Sequence, residues 1–198
     1  MIKAILAGFM IAMGAGLYLT VGGPVGAFLF SVGLLTILKF GFYLFTGKAG
    51  LLATKEIKWW QLALIWCGNL VGTAGGALLL NAAGLGATVI GPAAAIILKR
   101  IGNTWFENVL LGILCGVLMY IAVKSFKDMP YLTIMCVAAF ILLGANHCVA
   151  DMVYMFLSGV NWNGFVSILF TTLGNIIGCN LIGIGLRLAG IEENKGLL

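Results

Sequence analysis

Charged side chains are scarce in this chain of 198 residues, where only 9% are Asp, Glu, Lys or Arg and 62% are apolar. A water-soluble domain carries about 25% charged residues, so this composition excludes a soluble globular protein. The mean hydropathy of +1.14 indicates an integral membrane protein instead. Because one spanning helix needs about 20 apolar residues, the chain has room for about six spans with short connections.

Histidine and carboxylates are rare too, with one histidine and six acidic residues. The chain has no HExxH motif and no cysteines or histidines at metal-ligand spacing, so we predict no metal, no cofactor and no enzyme activity. The five cysteines lie in or beside apolar runs and are interpreted as small buried residues. The net charge of +5 is attributed to membrane topology, and nucleic-acid binding is not expected.

Two further patterns are missing. The chain lacks the short segments of period-two alternation that are typical of a membrane β-barrel. It has continuous apolar runs instead, and these favour a helical bundle. The three prolines, Pro24, Pro92 and Pro130, follow Gly, Gly and Met, so the paired Asn-Pro-Ala motifs of a water or glycerol channel are lacking.

The apolar runs predict six helical spans, at about 2–20, 25–50, 59–81, 105–122, 131–157 and 165–188. Two of the spans are interrupted. Thr46, Gly47 and Lys48 interrupt the second, and the segment "GANHCVAD" interrupts the fifth. The stretch from about 82 to 103 is looser, carries Pro92, and is not assigned to a span.

The basic residues are unevenly divided between the two sides of this six-span arrangement. The side of the N-terminus collects Lys3, Lys55, Lys58, Lys124, Lys127, Arg187 and Lys195, and the other side collects Lys99 and Arg100. Cytoplasmic loops carry an excess of lysine and arginine. We therefore expect a multi-pass protein of the inner (cytoplasmic) membrane with both termini in the cytoplasm.

A short motif occurs twice. Gly68-Asn69 opens "GNLVG" and Gly174-Asn175 opens "GNIIG", and a similar offset brings the first interruption onto the second. We therefore predict one domain, 1–198, built from two three-helix repeats at about 1–81 and 103–188. Because three is odd, the repeats must be inverted. In transporters, inverted repeats with a broken helix in each place a substrate site between the two breaks.

The residues at the breaks favour an anion. Lys48 is a cation, Thr46 offers a hydroxyl group, and His147 offers ring N–H groups, while helices that begin at a break direct their positive ends inward. Asp151 could tune the imidazole of His147 or could cap or salt-bridge the short helix. Asn69 and Asn175 could belong to the path or could only satisfy backbone groups at the breaks.

The same segments carry a resemblance. "LFTGK" (44–48), "WCGNLVG" (66–72), "GANHCVADM" (144–152) and "TLGNIIG" (172–178) resemble, in the same order, motifs of the formate/nitrite transporter family. The resemblance implies an aquaporin-like fold of six spans with broken helices 2 and 5. It also implies a homopentamer in which each protomer has its own pore.

The resemblance also implies roles for individual residues. His147 matches the central histidine of the family, Thr46 matches the loop threonine that can hydrogen-bond to it, and Asn175 matches a nearby asparagine. Two hydrophobic slits flank this site in the family. By matched position, the cytoplasmic slit would contain Phe30, Leu34 and Phe140, and Leu44 and Phe45 would fall near the periplasmic slit. The chain departs from the family pattern at Asn146, Asp151 and Lys48.

These observations predict a channel for a small monovalent weak-acid anion, with a proton relay at His147. Histidine titrates near neutrality, and a protonated anion passes a dry slit at lower cost than a charged one. Formate is favoured because it is the commonest assignment in the family. Nitrite or hydrosulfide remain alternatives, and so does an alternating-access carrier of anions and protons.

Overall fold

The computed structural model describes residues 1–159 and 161–190, and every regular element in these ranges is helical. The predicted all-α class is therefore confirmed. In chain order the helices are α1 (Ile2–Val21), α2 (Gly23–Phe40), α3 (Phe45–Ala49), α4 (Trp59–Leu80), α5 (Gly86–Gly102), α6 (Trp105–Ser125), α7 (Pro130–Leu143), α8 (Cys148–Ser158) and α9 (Trp162–Leu188). Lys195, which counted toward the predicted topology, lies outside the described residues.

Among the described residues, five helical stretches are long and apolar enough to cross a membrane, and α7 with α8 forms a sixth, bent by 55°. The break in this bent pair covers residues 144–147, where the fifth span was predicted to be interrupted. The second span is broken as well, but at residues 41–44, and Thr46, Gly47 and Lys48, which were predicted to interrupt it, lie in the short helix α3 that follows. Both predicted broken helices are therefore present.

Glycines allow two pairs of helices to pack at very short distance. A Cβ atom added to Gly72 of α4 would collide with the carbonyl oxygen of Ile5 in α1. In the same way, a Cβ atom on Gly178 of α9 would collide with the carbonyl oxygen of Ile113 in α6. Small residues are the usual means by which membrane helices approach closely, since lipid offers little hydrophobic driving force between helices.

The short helix that follows each break packs against helices of the other half of the chain. We call α1–α4 the first half and α6–α9 the second half. Helix α3 of the first half packs against α6 and α9, and α8 of the second half packs against α4 and α1. Each half thus supplies the protein surroundings for the other half's broken backbone, which cannot face lipid without a cost of several kcal/mol per unpaired group.

The stretch from about 82 to 103 differs from the prediction, because most of it forms helix α5. A π-helical turn, Asn81–Leu85, joins α4 to α5, and Gly84 in this turn has a φ of 82°, which favours glycine. Helix α5 packs against α8. The buried residues of α5 recur at helical spacing and include Val89, Ala93, Ile97 and Arg100. That spacing is a usable signal, but Pro92 and the later charges Lys99 and Arg100 interrupt the apolar run and obscure it.

Candidate functional site

His147 lies at the break between α7 and α8, near the middle of the bundle. Helix α7 ends at Gly144, whose φ of 74° turns the chain out of the helix. Three residues later His147 is extended and forms the N-cap of α8. Its side chain is almost completely buried. The only histidine of the chain is thereby fixed at the start of a helix inside the apolar core.

Both nitrogens of the His147 ring have a partner. The backbone N–H of Ala150 donates to Nδ1 at 3.1 Å, which caps α8. Nε2 lies 2.9 Å from the hydroxyl oxygen of Thr46. Because Nδ1 is used as an acceptor, a neutral ring carries its hydrogen on Nε2 and donates it to Thr46. The hydroxyl hydrogen of Thr46 is then directed elsewhere.

Thr46 reaches His147 from the opposite break. It is the second residue of α3 and is buried. The thiol of Cys179 in α9 donates to the Thr46 carbonyl oxygen at 3.3 Å, which helps to hold α3 against the second half. The structure therefore brings together the threonine and the histidine of the two interruptions, 101 residues apart in the chain.

Asn175 holds the backbone on both sides of His147. Its Nδ2 donates to the carbonyl of Asn146 at 2.8 Å and to that of Gly112 in α6 at 2.9 Å. Its Oδ1 accepts the N–H of Cys148 at 2.9 Å. Asn175 does not hydrogen-bond to the imidazole itself, so its contact with the site is through the backbone.

Asn69 makes the matching set of bonds at the first break. Its Nδ2 donates to the carbonyls of Tyr43 at 2.9 Å and Ala4 at 2.8 Å, and its Oδ1 accepts the N–H of Phe45 at 2.8 Å. In each half the asparagine joins the non-helical segment, the first residue of the short helix and the first helix of that half. Of the two interpretations of these asparagines, the geometry favours satisfaction of the backbone.

Two cavities approach the His147–Thr46 pair. The first, the lysine vestibule, has a volume of about 350 Å³, and its lining includes Lys3, Lys48 and Lys127. Nζ of Lys3 and Nζ of Lys48 lie 5.2 and 5.3 Å from the ring centre of Tyr43, within the range of cation–π attraction. Lys48 thus lies in this vestibule beside Tyr43.

The second, the arginine cavity, has a volume of about 240 Å³, and its lining includes Lys99, Arg100, His147, Asp151 and Tyr154. Arg100 and Asp151 form a buried ion pair, with 3.4 Å between Nε and Oδ1. Of the two interpretations of Asp151, the salt bridge is the one present, and its partner comes from α5. Arg100 was counted in the sequence only for topology, and its site contact was missed.

The apolar residues assigned to the slits are grouped differently from the prediction. Phe30 and Phe140 contact each other edge to face at 6.0 Å between ring centres, and Phe140 lines the arginine cavity. Leu34 and Leu44 line the lysine vestibule. Phe140 and Leu34, which were predicted to share one slit, therefore line different cavities, and Leu34 shares its cavity with Leu44, which was predicted to lie near the other slit. Phe140 lies in the last turn of α7 and packs on the ring of His147, with 5.6 Å between ring centres, and His147 lines the arginine cavity as well.

Phe45 also differs from the prediction. It lines an apolar groove with Trp59, Leu62 and Trp66 of α4, and it does not line either of the two cavities. The residue that precedes a helix and the first residue inside that helix point in different directions. Leu44 therefore lines the lysine vestibule while its neighbour Phe45 does not.

Asn146 and Asn108 connect the break to the end of α5. Nδ2 of Asn146 donates to Oδ1 of Asn108 at 2.9 Å, and Nδ2 of Asn108 donates to the carbonyl of Arg100 at 2.8 Å. Asn108 was not singled out in the sequence. A polar residue within an apolar span is the signal that could have found it, since such residues are costly in a membrane.

Comparison with known proteins points to one family. The family model described as "Formate/nitrite transporter" matches residues 1–188. The formate channel FocA of Escherichia coli (strain K12) is 32% identical over 165 residues, covering 75% of this chain and 58% of FocA. FocA of Haemophilus influenzae is 31% identical over 147 residues, covering 65% of this chain and 51% of that protein. The chain thus spans between half and three fifths of these relatives' length.

Two solved structures share the fold. An "FNT family ion channel" superposes with a TM-score of 0.81 at 23% identity, covering 94% of this chain and 88% of that one. A "Pentameric formate channel with formate bound" superposes with a TM-score of 0.77, also at 23% identity, covering 96% of each chain. The predicted channel fold is confirmed by this agreement over nearly the whole length.

Proposed function

Because the chain belongs to the formate/nitrite transporter family, we propose that it is a membrane channel for a small monovalent weak-acid anion, with formate as its substrate. The observation that carries the proposal is the His147–Thr46 hydrogen bond of 2.9 Å between two cavities that each contain cations. FocA proteins, which bear the name formate channel, are among the relatives of this chain.

Attraction of the anion is the first step. Lys3, Lys48 and Lys127 line the lysine vestibule, and Lys99 and Arg100 line the arginine cavity. Clefts of net positive charge raise the local concentration of anions. On the arginine side Lys99 supplies this charge, because Asp151 neutralises Arg100. Each mouth of the path therefore collects anions before they reach the apolar constrictions.

Passage through the constrictions is the costly step, because an anion leaves water there. Phe30 and Phe140 narrow the path on the arginine side, and Leu34 and Leu44 narrow it on the lysine side. A neutral acid passes such apolar walls at much lower cost than its anion. Protonation between the constrictions therefore permits transport of a species that enters as an anion.

His147 and Thr46 supply hydrogen-bond donors at that point. In the neutral ring the hydrogen lies on Nε2, and a proton relay requires Nδ1 to take up a second proton and release the N–H of Ala150. The imidazolium then gives one proton to the anion, which leaves as the neutral acid. Asn175 positions this histidine through the backbone of Asn146 and Cys148.

The assembly and topology extend the proposal. We propose a homopentamer, by analogy with the solved channel whose title describes a pentamer. We also propose that the chain is a single domain of two inverted repeats, about 1–81 and 103–188. The protein would lie in the inner membrane with both termini cytoplasmic, and the six described basic residues of the N-terminal side support this orientation.

The test is stopped-flow flux into proteoliposomes. Formate, nitrite, hydrosulfide, acetate and chloride would be compared at several pH values for the wild type and for His147→Asn. We expect rapid formate uptake with a pH dependence that the variant loses. Unchanged rate and pH profile in the variant would contradict the relay. A saturating rate with counter-ion exchange would favour a carrier, and preference for nitrite or hydrosulfide would change the substrate.

A further inference from the structure

The ion pair between Arg100 and Asp151 lies beside the break that holds His147. The two side chains are 8% and 1% exposed. Nη1 of Arg100 also donates to the carbonyl of Gly144 at 3.3 Å, at the end of α7. The pair thus connects the last turn of α5 to the first turn of α8, within the wall of the arginine cavity.

One oxygen of the Asp151 carboxylate has no partner. Oδ2 is buried, and no hydrogen-bond donor among the described residues reaches it. A buried carboxylate oxygen without a donor costs free energy, because it has lost its water and gained nothing in exchange. Asp151 is one of the lining residues of the arginine cavity, so its side chain borders that cavity.

The charges of the pair limit what else the cavity can bind. Arg100 balances Asp151, so an arriving anion would place two negative charges against one guanidinium group in a buried site. Like charges in such a site favour protonation of one of them. A proton added to Asp151 removes its charge and leaves Arg100 available to the anion. The guanidinium has five N–H donors, and the two described bonds use Nε and Nη1.

We propose that Arg100 and Asp151 form a binding site for a small monovalent anion, which is taken up together with one proton that Asp151 binds. The anion accepts hydrogen bonds from Arg100, and the proton forms an O–H bond at Oδ2, so the buried charge is unchanged by loading. The site rests on the proposed function and assigns to it a proton acceptor other than His147.

The groups that face Asp151 permit this assignment. The ionisable side chains nearby come from four helices and one helix cap: Tyr18 of α1, Lys99 and Arg100 of α5, Cys115 of α6, Cys148 and Tyr154 of α8, and His147, the N-cap of α8. Lysine, arginine, tyrosine and cysteine do not ordinarily titrate between mildly acidic and neutral pH, whereas carboxylates and histidine do. A proton that binds together with the anion between mildly acidic and neutral pH therefore goes to Asp151 or to His147. Variants of each residue show which of the two side chains binds the proton.

The test measures proton uptake by the purified full-length protein in detergent. Sodium formate is added in weakly buffered solution, proton uptake is followed with a pH indicator, and formate binding is measured by equilibrium dialysis. We expect the wild type to take up about one proton per bound anion, with affinity falling as pH rises, because anion and proton favour each other's binding. Asp151→Asn should take up no proton and bind formate about tenfold more tightly than wild type at mildly alkaline pH.

Three further variants complete the design. Arg100→Gln should lose formate binding, and His147→Asn should keep proton uptake. Asp128→Asn, in the exposed loop before α7, is the matched control and should behave as wild type. If Asp151→Asn does not fold, Asp151→Ser supplies a second neutral side chain for the same measurement.

Several outcomes would overturn the site. One is that the wild type does not bind formate. Another is that Asp151→Asn takes up protons as the wild type does. A third is that Asp151→Asn loses binding equally at every pH, which is the behaviour of a purely structural ion pair. Flux in proteoliposomes separates this failure from failure of the transport function. Binding with proton uptake but no flux would reject transport and keep the site. Flux with an unchanged pH profile in Asp151→Asn would keep transport and reject the site.

Discussion

Asn69 and Asn175 make matching hydrogen bonds in the two halves of the chain, yet the breaks that they hold differ in the residue before the short helix. In the first half that residue is Leu44, which has no polar side chain, and α3 ends after five residues. In the second half it is His147, which caps α8 with its own ring, and α8 continues for 11 residues. One backbone arrangement thus places an apolar side chain before the first short helix and an imidazole ring before the second.

The comparison teaches which features belong to the scaffold and which to the path. The asparagine bonds satisfy backbone groups in both halves, and the glycine contacts bring two helices close together in both halves. The side chains at the starts of α3 and α8 do not recur, and they are the ones that meet at the site. Some substitutions should therefore lower the stability of both halves by similar amounts, and others should affect only one half.

The largest effect is expected from replacing either asparagine. Asn69→Ala and Asn175→Ala each leave one carbonyl and one N–H group of the break without a partner, while the third bonded carbonyl keeps its bond within α1 or α6; one unpaired buried group costs about 1–3 kcal/mol. Both variants should show a strongly lowered unfolding temperature in detergent, by similar amounts, followed by intrinsic fluorescence. Asn163→Ala, at an exposed position of α9, is the control. A loss confined to one of the two would mean that the halves are not equivalent.

The glycine contacts should give the next largest loss. In Gly72→Ala and Gly178→Ala a new Cβ atom meets a backbone carbonyl of the facing helix, and overpacking of this kind costs about 1–3 kcal/mol. Gly75→Ala provides a matched control in α4, because nothing lies near its Cβ position. The measurement is again the unfolding temperature. Equal stability of Gly72→Ala and Gly75→Ala would contradict the close contact between α1 and α4.

A smaller effect distinguishes the two breaks. Thr46 is the second residue of α3, whereas the second residue of α8 is Val149. Thr46→Val leaves the Nε2–H group of His147 without an acceptor, which costs about 1 kcal/mol or somewhat more. Thr46→Ser keeps the hydroxyl group and should keep stability and flux. If the valine variant transported formate with the wild-type pH profile, the bond to His147 would have no part in transport.

The smallest effect is expected at the outer end of the second half. Helix α6 begins with a capping box between Thr104 and Glu107, whereas α1 has no side-chain cap. Thr104→Ala should lower stability by about 1 kcal/mol, measured as thermal unfolding in detergent. Thr36→Ala removes a hydroxyl group that bonds only within α2 and should change little. A large loss at Thr104 would mean that α6 depends on its cap more than on its packing.

Much of this architecture could be predicted from the sequence because the bilayer imposes simple demands. Apolar length located the spans, and the polar interruptions of the second and fifth spans located the two breaks to within a few residues. The repeated Gly-Asn motif indicated that the chain contains two similar halves. The meeting of Thr46 with His147 followed from the resemblance to the family. These features depend on residue type and order along the chain.

Other features depend on how side chains point in three dimensions, and the sequence could not supply them. The partner of Asp151 proved to be Arg100 of α5, a helix that the apolar runs had concealed. Phe140 lines a different cavity from Leu34, with which it was grouped, because its ring packs on the ring of His147. Phe45 turned away from both cavities because it is the first residue inside α3.

The exchange of short helices between the halves has a consequence for biogenesis. Translation delivers the first half to the membrane before α6 and α9 exist, yet α3 packs against both of them. Until those helices are inserted, the backbone around α3 lacks its protein surroundings and has to be shielded by the insertion machinery or by water. A ribosome that stalls within the second half would leave a truncated product with this segment uncovered, in a form that quality-control proteases can recognise.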